Sequence, residues 1–341
     1  MSNSNPLKLR ALLIDLNGTL HVGSETTPRA VQALERLRSA RIPFVFCSNN
    51  TRDSSERLLE KLSGMGFTVK RDEVMTSLGA CRQLVDDRGL KPYLLVSPSA
   101  KEEFGHISHS GQYDSVILGL HEESLSYGPL NTAFRILKGE PLHPPSSTPT
   151  PPGPSHSANP PSPSIISPSA SLSTSTSTST STSTSTPAST STPTRSHTVS
   201  ASSSPSPPRP RLIAPHASLY HQTPGTAQLP AGLSLGIGPF VRALETATDI
   251  QAELVGKPTR RFFELALERL QAVQGGIGRL EGRDVGVVGD DMINDLGEGA
   301  RDLGLRRILV RTGKYRSGIE NGDHPPDAVY DTFADLVDAI L

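Results

Sequence analysis

The feature that most constrains the fold of this chain is a repeated alternation of short apolar runs with amphipathic helical segments. The apolar runs lie at residues 9–14, 43–47, 93–96, 115–118, 253–255, 285–288 and 307–310. Between them, apolar residues recur at helical spacing, as in the segments 54–65 and 333–341. Short buried strands that alternate with helices predict an α/β fold with a parallel sheet covered on both faces. In such sheets, ligands bind beyond the carboxyl ends of the strands.

A tract rich in Pro, Ser and Thr, at residues 144–210, interrupts this alternation. Because it offers few side chains that a core could bury, we expect it to be disordered. The entropy of loop closure grows only logarithmically with length, so the surrounding fold tolerates such an insertion. Without the tract, roughly 270 residues of ordinary globular composition remain, which is enough for a hydrophobic core. Both an inert surface expansion and a phosphorylated or glycosylated segment fit this composition.

Charge and cysteine content narrow the class of protein. Lys and Arg number 33 against 34 Asp and Glu, so no basic surface for nucleic acid is expected. Two cysteines, Cys47 and Cys81, are too few for a disulfide framework and fit a reducing compartment. No apolar stretch approaches the length of a membrane-spanning helix, and residues 1–10 lack the apolar centre of a signal peptide. We therefore expect a cytoplasmic protein that contacts neither membrane nor nucleic acid.

Chemically competent side chains stand where the first two predicted strands end. Asp15 closes the first run and a turn follows it, so its carboxylate can serve as a nucleophile or as a metal ligand. Ser48, Asn49 and Asn50 close the second run and precede a predicted helix, whose free N–H groups can join the hydroxyl and amides in a phosphate cradle. Taken singly, these residues also fit ordinary turns and helix caps.

Two later groups add charge to the same picture. Lys257 follows the run at 253–255, where its ammonium group can lie beside a phosphoryl group or simply remain solvated. Asp290 and Asp291 follow the run at 285–288, with Asp295 four residues after Asp291. Clustered carboxylates suit a hard cation such as Mg²⁺, although acids also decorate helix N-termini.

In their order and spacing along the chain, these groups resemble the four motifs of the haloacid-dehalogenase-like hydrolases. The matching segments are 15–19, Ser48, Lys257 and 289–295, and the likeness extends to 238–240, 255–258 and 312–315. The resemblance implies a Rossmann-like parallel-sheet core with a large inserted α/β cap of the C2 type. The implied core comprises residues 1–78 and 253–341, and the implied cap comprises 79–252, interrupted by the insertion at 144–210.

The resemblance also implies a mechanism, in which Asp15 attacks phosphorus and becomes an aspartyl-phosphate that water then hydrolyses. It implies that Mg²⁺ is held by the Asp15 and Asp290 carboxylates and by the backbone carbonyl of Asn17. The remaining roles fall to residues that contact the phosphate, Ser48, Asn49, Asn50 and Lys257, and to Asp291 and Asp295, which act through water or orient the loop. The expected substrate is a small phosphorylated molecule or a phosphoamino acid, and caps of this type often support a homodimer.

The sequence departs from the family pattern at Asn17, where family phosphatases usually carry an acid. An amide keeps the carbonyl that reaches the metal, but it cannot exchange a proton with the leaving group or the hydrolytic water. General acid–base catalysis contributes about 10²–10⁴-fold. We therefore expect a bias toward activated phosphoryl donors. The alternative is a pseudophosphatase that binds Mg²⁺ and phosphate without efficient turnover, and a third reading is a phosphotransferase or a dehalogenase, the latter disfavoured by the acidic motif.

The cap is expected to choose the substrate through a loop at residues 215–233. This loop contains His216, Tyr220 and His221. The two histidines fit either contacts with the substrate or a plain surface position without a role.

Overall fold

The computed structural model describes residues 8–107, 112–143, 209–223, 229–273 and 280–341. The predicted insertion at 144–210 therefore lies outside the described residues, apart from its last two positions. In the described part of the chain, no helix is both long and apolar enough to cross a membrane.

A parallel sheet of six strands forms the centre of the described residues, as the alternating pattern predicts. In spatial order, the strands are Ala328–Tyr330 (β14), Arg306–Val310 (β13), Val285–Gly289 (β12), Ala11–Asp15 (β1), Phe44–Ser48 (β4) and Val74–Thr76 (β5). The chain leaves β1 toward β4 on one side and returns to β12 on the other. The strand order thus reverses at β1, which is the place where sheets of this kind form a binding crevice.

Helices cover both faces of this sheet because successive side chains of a strand point to opposite faces. Leu13 of β1 faces a cluster that includes the helices Ser77–Arg88 (α3), Arg260–Val273 (α7) and Glu298–Asp302 (α8). Leu12 and Ile14 face the opposite cluster. Its helices are Ala30–Ser39 (α1), Ser55–Gly64 (α2) and Phe333–Ile340 (α9). All residues of β1 are buried, so the strand that carries Asp15 lies in a rigid, fully packed layer.

A second, smaller parallel sheet has four strands. In spatial order they are Glu253–Leu254 (β11), Arg211–Ala214 (β8), Ser115–Leu118 (β7) and Pro92–Leu95 (β6). The helices Tyr127–Lys138 (α5) and Gly238–Thr248 (α6) pack on it, and the short helix Pro98–Lys101 (α4) follows β6. The division into a core at 1–78 and 253–341 and a cap at 79–252 stays a prediction.

The strand at 253–255 differs from the expectation that it would end at the edge of the central sheet. Its two residues pair with Ile213 and Ala214 of β8, so it belongs to the smaller sheet. The sequence of a two-residue strand does not indicate which sheet the strand joins. Lys257 therefore reaches the end of the central sheet from a loop after the smaller sheet.

Two antiparallel hairpins complete the elements that border the site. One consists of His21–Val22 (β2) and Glu25–Thr26 (β3), directly after the β1 loop, and the other of Tyr220–Thr223 (β9) and Gly232–Leu235 (β10). Single turns of 3₁₀-helix lie at Arg71–Glu73, Glu102–Phe104, Gly282–Asp284 and Ile319–Asn321.

Candidate active site

Three of the predicted site segments meet because their strands are neighbours in the central sheet. Asp15 ends β1, Ser48 ends β4, and Asp290 follows the last residue of β12. In the sheet register, Asp15 pairs with Cys47 on one side, and Ile14 pairs with Val288 on the other. The carboxyl ends of these parallel strands therefore lie side by side at one edge.

Lys257 joins this group as a buried cation between two carboxylates. Its Nζ lies 2.5 Å from Asp15 Oδ1 and 2.7 Å from Asp295 Oδ1, and its side chain is 1% exposed. Burial alone would lower the pKa of Lys257, but Asp15 and Asp295 raise it above its ordinary value. The ammonium group thus stays charged beside Asp15. The second oxygen of Asp15 accepts a hydrogen bond from the Thr19 hydroxyl at 3.2 Å, which fixes the orientation of the carboxylate.

Asp15, Asp290 and Asp295 form a compact carboxylate cluster. One oxygen of each lies within 4.8 Å of the others, and all three side chains are buried. Burial and repulsion from the other carboxylates raise the pKa of Asp290, and raise that of Asp295 to about 6. Hard oxygen ligands packed this closely, with one lysine among them, suit the coordination of Mg²⁺. The residues present therefore fit the metal that the family resemblance implies.

A loop from the end of β13 encloses Asp290. The backbone N–H of Lys314 donates to Asp290 Oδ2 at 2.5 Å, and the hydroxyl of Thr312 donates to the carbonyl of Gly18. Gly18 has a φ of 112°, and a Cβ at this position would lie 2.3 Å from the Asp290 carboxylate. Only glycine therefore permits the close approach of the β1 loop to Asp290.

The structure separates Asp291 from Asp295, for which the sequence suggested similar roles. Asp295 contributes an oxygen to the carboxylate cluster itself. Asp291 instead accepts hydrogen bonds from the Asn294 backbone and side chain and from Lys314 Nζ at 2.9 Å. Burial opposes ionisation of Asp291, but Lys314 and the hydrogen bonds lower its pKa below the ordinary value. Asp291 therefore holds the loop after β12 and anchors Lys314.

The amides expected to contact phosphate make hydrogen bonds within the protein. Asn49 brackets the backbone of Lys257, since its Oδ1 accepts from the Lys257 N–H at 3.0 Å and its Nδ2 donates to the Lys257 carbonyl at 2.9 Å. Asn50 closes the following turn through the backbone N–H of Arg52 and the carboxylate of Asp53. Ser48 is 4% exposed and lies at the end of its strand beside Asp15. A role of these three residues toward phosphate stays a prediction.

Asn17 has an exposed side chain at the cleft. Its Oδ1 accepts a hydrogen bond from the Gly23 N–H at 3.2 Å, and its backbone forms a bridge with His21. The amide thus links the β1 loop to the β2–β3 hairpin.

A cleft of about 470 Å³ opens above the carboxylates. It is lined by residues at and beyond the strand ends of the central sheet, on α2, in the loop after β8 and on the β9–β10 hairpin, among them Asp15, Asn17, Ser48, Arg52, Lys61, His216, Tyr220, His221, Asp295 and Lys314. Its volume lies within the range of sites that hold small molecules.

The two histidines of the 215–233 loop do not lie free on the surface. His216 is 9% exposed, its Nδ1 accepts from the Ser218 N–H at 3.2 Å, and burial lowers its pKa to about 3. His221 places Nε2 at 3.1 Å from the guanidinium group of Arg52. Burial and the positive charge of Arg52 lower the pKa of His221, so this ring is neutral as well.

Two cations of the cleft, Lys314 and Arg52, have no predicted role from the sequence. Lys314 lies in the segment 312–315, which the sequence marked only as part of the family likeness. It follows the end of β13, however, and ligands bind beyond the carboxyl ends of such strands, so its position could have identified it. Arg52 has no such signal, because it lies in the irregular loop before α2.

Comparisons with known proteins agree with this geometry. The family model described as haloacid dehalogenase-like hydrolase matches residues 12–107, and the model described as HAD-hydrolase-like matches residues 254–336. The human haloacid dehalogenase-like hydrolase domain-containing protein 2 is 33% identical over 335 residues, which cover 98% of this chain and 96% of the relative. The human phospholysine phosphohistidine inorganic pyrophosphate phosphatase is 28% identical over 340 residues, covering 98% and 94% of the two chains.

Among solved structures, a 4-nitrophenylphosphatase from Thermotoga maritima has the same fold. Its TM-score is 0.67 at 20% identity, with 98% of each chain covered. This chain therefore belongs to the haloacid dehalogenase-like hydrolase family.

Proposed function

We propose that this protein is a magnesium-dependent phosphatase whose nucleophile is Asp15. The observation that carries the proposal is the pairing of Asp15 with Lys257 at 2.5 Å, at the buried end of a cleft of small-molecule size. A carboxylate held in one orientation beside a fixed positive charge suits attack on a phosphoryl group, whose negative charge the ammonium group offsets.

The proposed reaction has two steps. An oxygen of Asp15 bonds to phosphorus while the bond from phosphorus to the leaving group breaks, and the leaving group takes the electron pair. Water then attacks the phosphorus of the aspartyl-phosphate, which releases inorganic phosphate and restores the Asp15 carboxylate. Lys257 offsets charge on the phosphoryl oxygens throughout, and the hydroxyl of Ser48 offers a hydrogen bond to the same group.

Mg²⁺ would be held by the carboxylates of Asp15 and Asp290 and by the backbone carbonyl of Asn17, with Asp295 in the same cluster. The proximity of the three buried carboxylates supports this assignment. When bound, the ion supplies charge neutralisation and orientation for the phosphoryl group.

The amide at Asn17 supports a bias toward activated phosphoryl donors. Its carboxamide cannot act as a general acid or base near neutral pH, and Oδ1 already accepts a hydrogen bond from the backbone N–H of Gly23. Substrates whose leaving group needs little protonation should therefore lose the least hydrolysis rate from this change. The name of the phospholysine phosphohistidine inorganic pyrophosphate phosphatase describes phosphoryl groups on nitrogen or on a second phosphate, which are donors of the activated kind.

A pseudophosphatase that binds Mg²⁺ and phosphate without efficient turnover is the second candidate, and Asn17 is the feature that favours it. In that case, the carboxylate cluster and Lys257 serve ligand binding alone.

Hydrolysis of p-nitrophenyl phosphate and of a sugar phosphate, with Mg²⁺ or with EDTA, tests the proposal on three proteins. The wild type should hydrolyse p-nitrophenyl phosphate with the higher kcat/KM, and Asp15→Asn should abolish turnover. Asn17→Asp should raise turnover of the sugar phosphate by up to about 10²-fold and that of p-nitrophenyl phosphate much less. Turnover that survives Asp15→Asn would place the chemistry elsewhere. A wild type that binds phosphate yet matches Asp15→Asn in turnover would favour the pseudophosphatase.

A further inference from the structure

The cleft is larger than a transferred phosphoryl group requires. It is lined by Asp15 at one place and by the cap residues Tyr220 and His221 at another, and its volume is about 470 Å³. The leaving group of a substrate must share this space with the phosphoryl group. The side chains around the remaining space therefore select the leaving group.

Arg52 is an exposed cation in that space, and its backbone is held by two side chains. Its backbone N–H donates to Asn50 Oδ1 at 2.9 Å, and its carbonyl accepts from the hydroxyl of Ser97. Both backbone groups are thus fixed by side chains from separate loops. The guanidinium group reaches the β9–β10 hairpin, where it donates a hydrogen bond to Nε2 of His221 at 3.1 Å.

His221 acts as a neutral acceptor in this contact. Burial, Arg52 and Lys314 all lower its pKa, so the ring carries no charge that would repel the guanidinium group. The contact engages one guanidinium N–H of Arg52, and in the described part of the chain the remaining donors of the group have no protein partner. His221 thus restrains the guanidinium group of Arg52.

The cations of the cleft differ in their partners. Lys257 is paired with Asp15 and Asp295, and Lys314 is paired with Asp291. Within the described ranges, neither Arg52 nor Lys61 has a carboxylate at ion-pair distance, and both line the cleft. Lys257 and Lys314 thus each have a carboxylate partner inside the protein, whereas Arg52 and Lys61 have none in the described ranges and can pair with an anionic group of a ligand.

We propose that Arg52, supported by Lys61, forms a second anion subsite, so that the preferred substrate carries a carboxylate or a second phosphate on its leaving group. Guanidinium groups bind such oxyanions through two parallel hydrogen bonds, which gives both affinity and orientation. This inference rests on the proposed function, because it places the transferred phosphoryl group beside Asp15.

Binding of three non-hydrolysable ligands with the same carbon chain tests the subsite without requiring turnover. Propylphosphonate has one anionic group, 4-phosphonobutyrate adds a carboxylate, and propane-1,3-diphosphonate adds a second phosphonate. Isothermal titration calorimetry on the full chain with Mg²⁺ should show at least about tenfold tighter binding for one or both ligands with two anionic groups, since hydrogen bonds to charged groups are the stronger class. The ligand whose affinity exceeds that of propylphosphonate by the larger factor identifies the preferred oxyanion, either carboxylate or phosphate.

Variants test whether Arg52 is responsible for the tighter binding of the ligands with two anionic groups. Arg52→Gln should remove the preference while weakening the binding of propylphosphonate far less than that of the two ligands with two anionic groups, whereas Arg52→Lys should keep part of the preference. Arg57→Gln is the matched control, because Arg57 is an exposed arginine of the same region that does not line the cleft. It should bind all three ligands as the wild type does.

The outcomes separate this inference from the proposed function. Equal binding of the three ligands to the wild type, or an unchanged preference in Arg52→Gln, would overturn the subsite alone. Equal loss of all three ligands in Arg52→Gln would also overturn it, since Arg52 would then support the phosphoryl site or the fold. A wild type that binds none of the phosphonates would overturn the proposed phosphate site and the subsite together.

Discussion

Asn49 holds the backbone of Lys257 from both sides, accepting from its N–H at 3.0 Å and donating to its carbonyl at 2.9 Å. The two residues are 208 positions apart in sequence, so this pair of hydrogen bonds connects the end of β4 to the loop after the smaller sheet. It fixes the point from which the buried side chain of Lys257 reaches Asp15. The placement of Lys257 therefore depends on an amide that the sequence suggested as a phosphate ligand.

Replacement of Asn49 by Ala should lower kcat for p-nitrophenyl phosphate by about tenfold to hundredfold, because small displacements of a catalytic group are costly. The melting temperature should fall as well, since two partly buried backbone groups lose their partners. Thr332→Ala is the comparison, because it removes the capping hydrogen bonds of α9 outside the cleft. An unchanged kcat in Asn49→Ala, or an equal loss in both variants, would contradict the positioning role.

Gly18→Ala should destabilise the protein more than Gly89→Ala. Both glycines have positive φ, 112° and 61°, so both substitutions carry the strain of about 1–2 kcal/mol that a side chain meets in this region. Only Gly18 faces an obstacle, the Asp290 carboxylate at 2.3 Å, whereas nothing lies within 4 Å of a Cβ at Gly89. Urea unfolding of both variants measures the difference. Equal losses of unfolding free energy would show that the Asp290 carboxylate can move aside without destabilising the protein.

Acid should destabilise the wild type more than His216→Asn, which keeps a hydrogen-bonding side chain but does not titrate. The pKa of His216 falls from 6.5 to about 3 on folding, chiefly through burial, so the unfolded state binds the proton more strongly. The stability from neutral His216 is present above pH 6.5 and is lost as the pH falls toward 3. Between about pH 7 and pH 5, the wild type should lose about 2 kcal/mol more unfolding free energy than the variant. Parallel losses in the two proteins would contradict a buried, neutral His216.

The strand ends of the central sheet could be predicted because each is the end of a short, fully buried apolar run. The runs that end at Asp15 and Ser48 and before Asp290 fold as β1, β4 and β12, and parallel pairing places their ends together. This physical rule needs only the period and length of the apolar stretches. The α/β class with helices on both faces follows from the same pattern.

The parts that could not be predicted depend on contacts between distant residues. The two-residue strand β11 gives no indication of its sheet, and an asparagine such as Asn49 can bind either a ligand or a backbone. His216 stands in a polar loop of the sequence, and only the packing of that loop against the central sheet buries it. The difference between Lys314, which has a carboxylate partner, and Arg52, which has none in the described ranges, likewise exists only in three dimensions.

The most direct measurement of the central claim is a search for the phosphorylated enzyme during turnover. The protein is acid-quenched in the presence of p-nitrophenyl phosphate and Mg²⁺, treated with borohydride to reduce an acyl phosphate, and digested for mass spectrometry. We expect the peptide that contains Asp15 to carry the modification in the wild type, and to carry none in Asp15→Asn, which should also lack turnover. Modification of a different peptide, or turnover by Asp15→Asn, would contradict the assignment of Asp15 as the nucleophile.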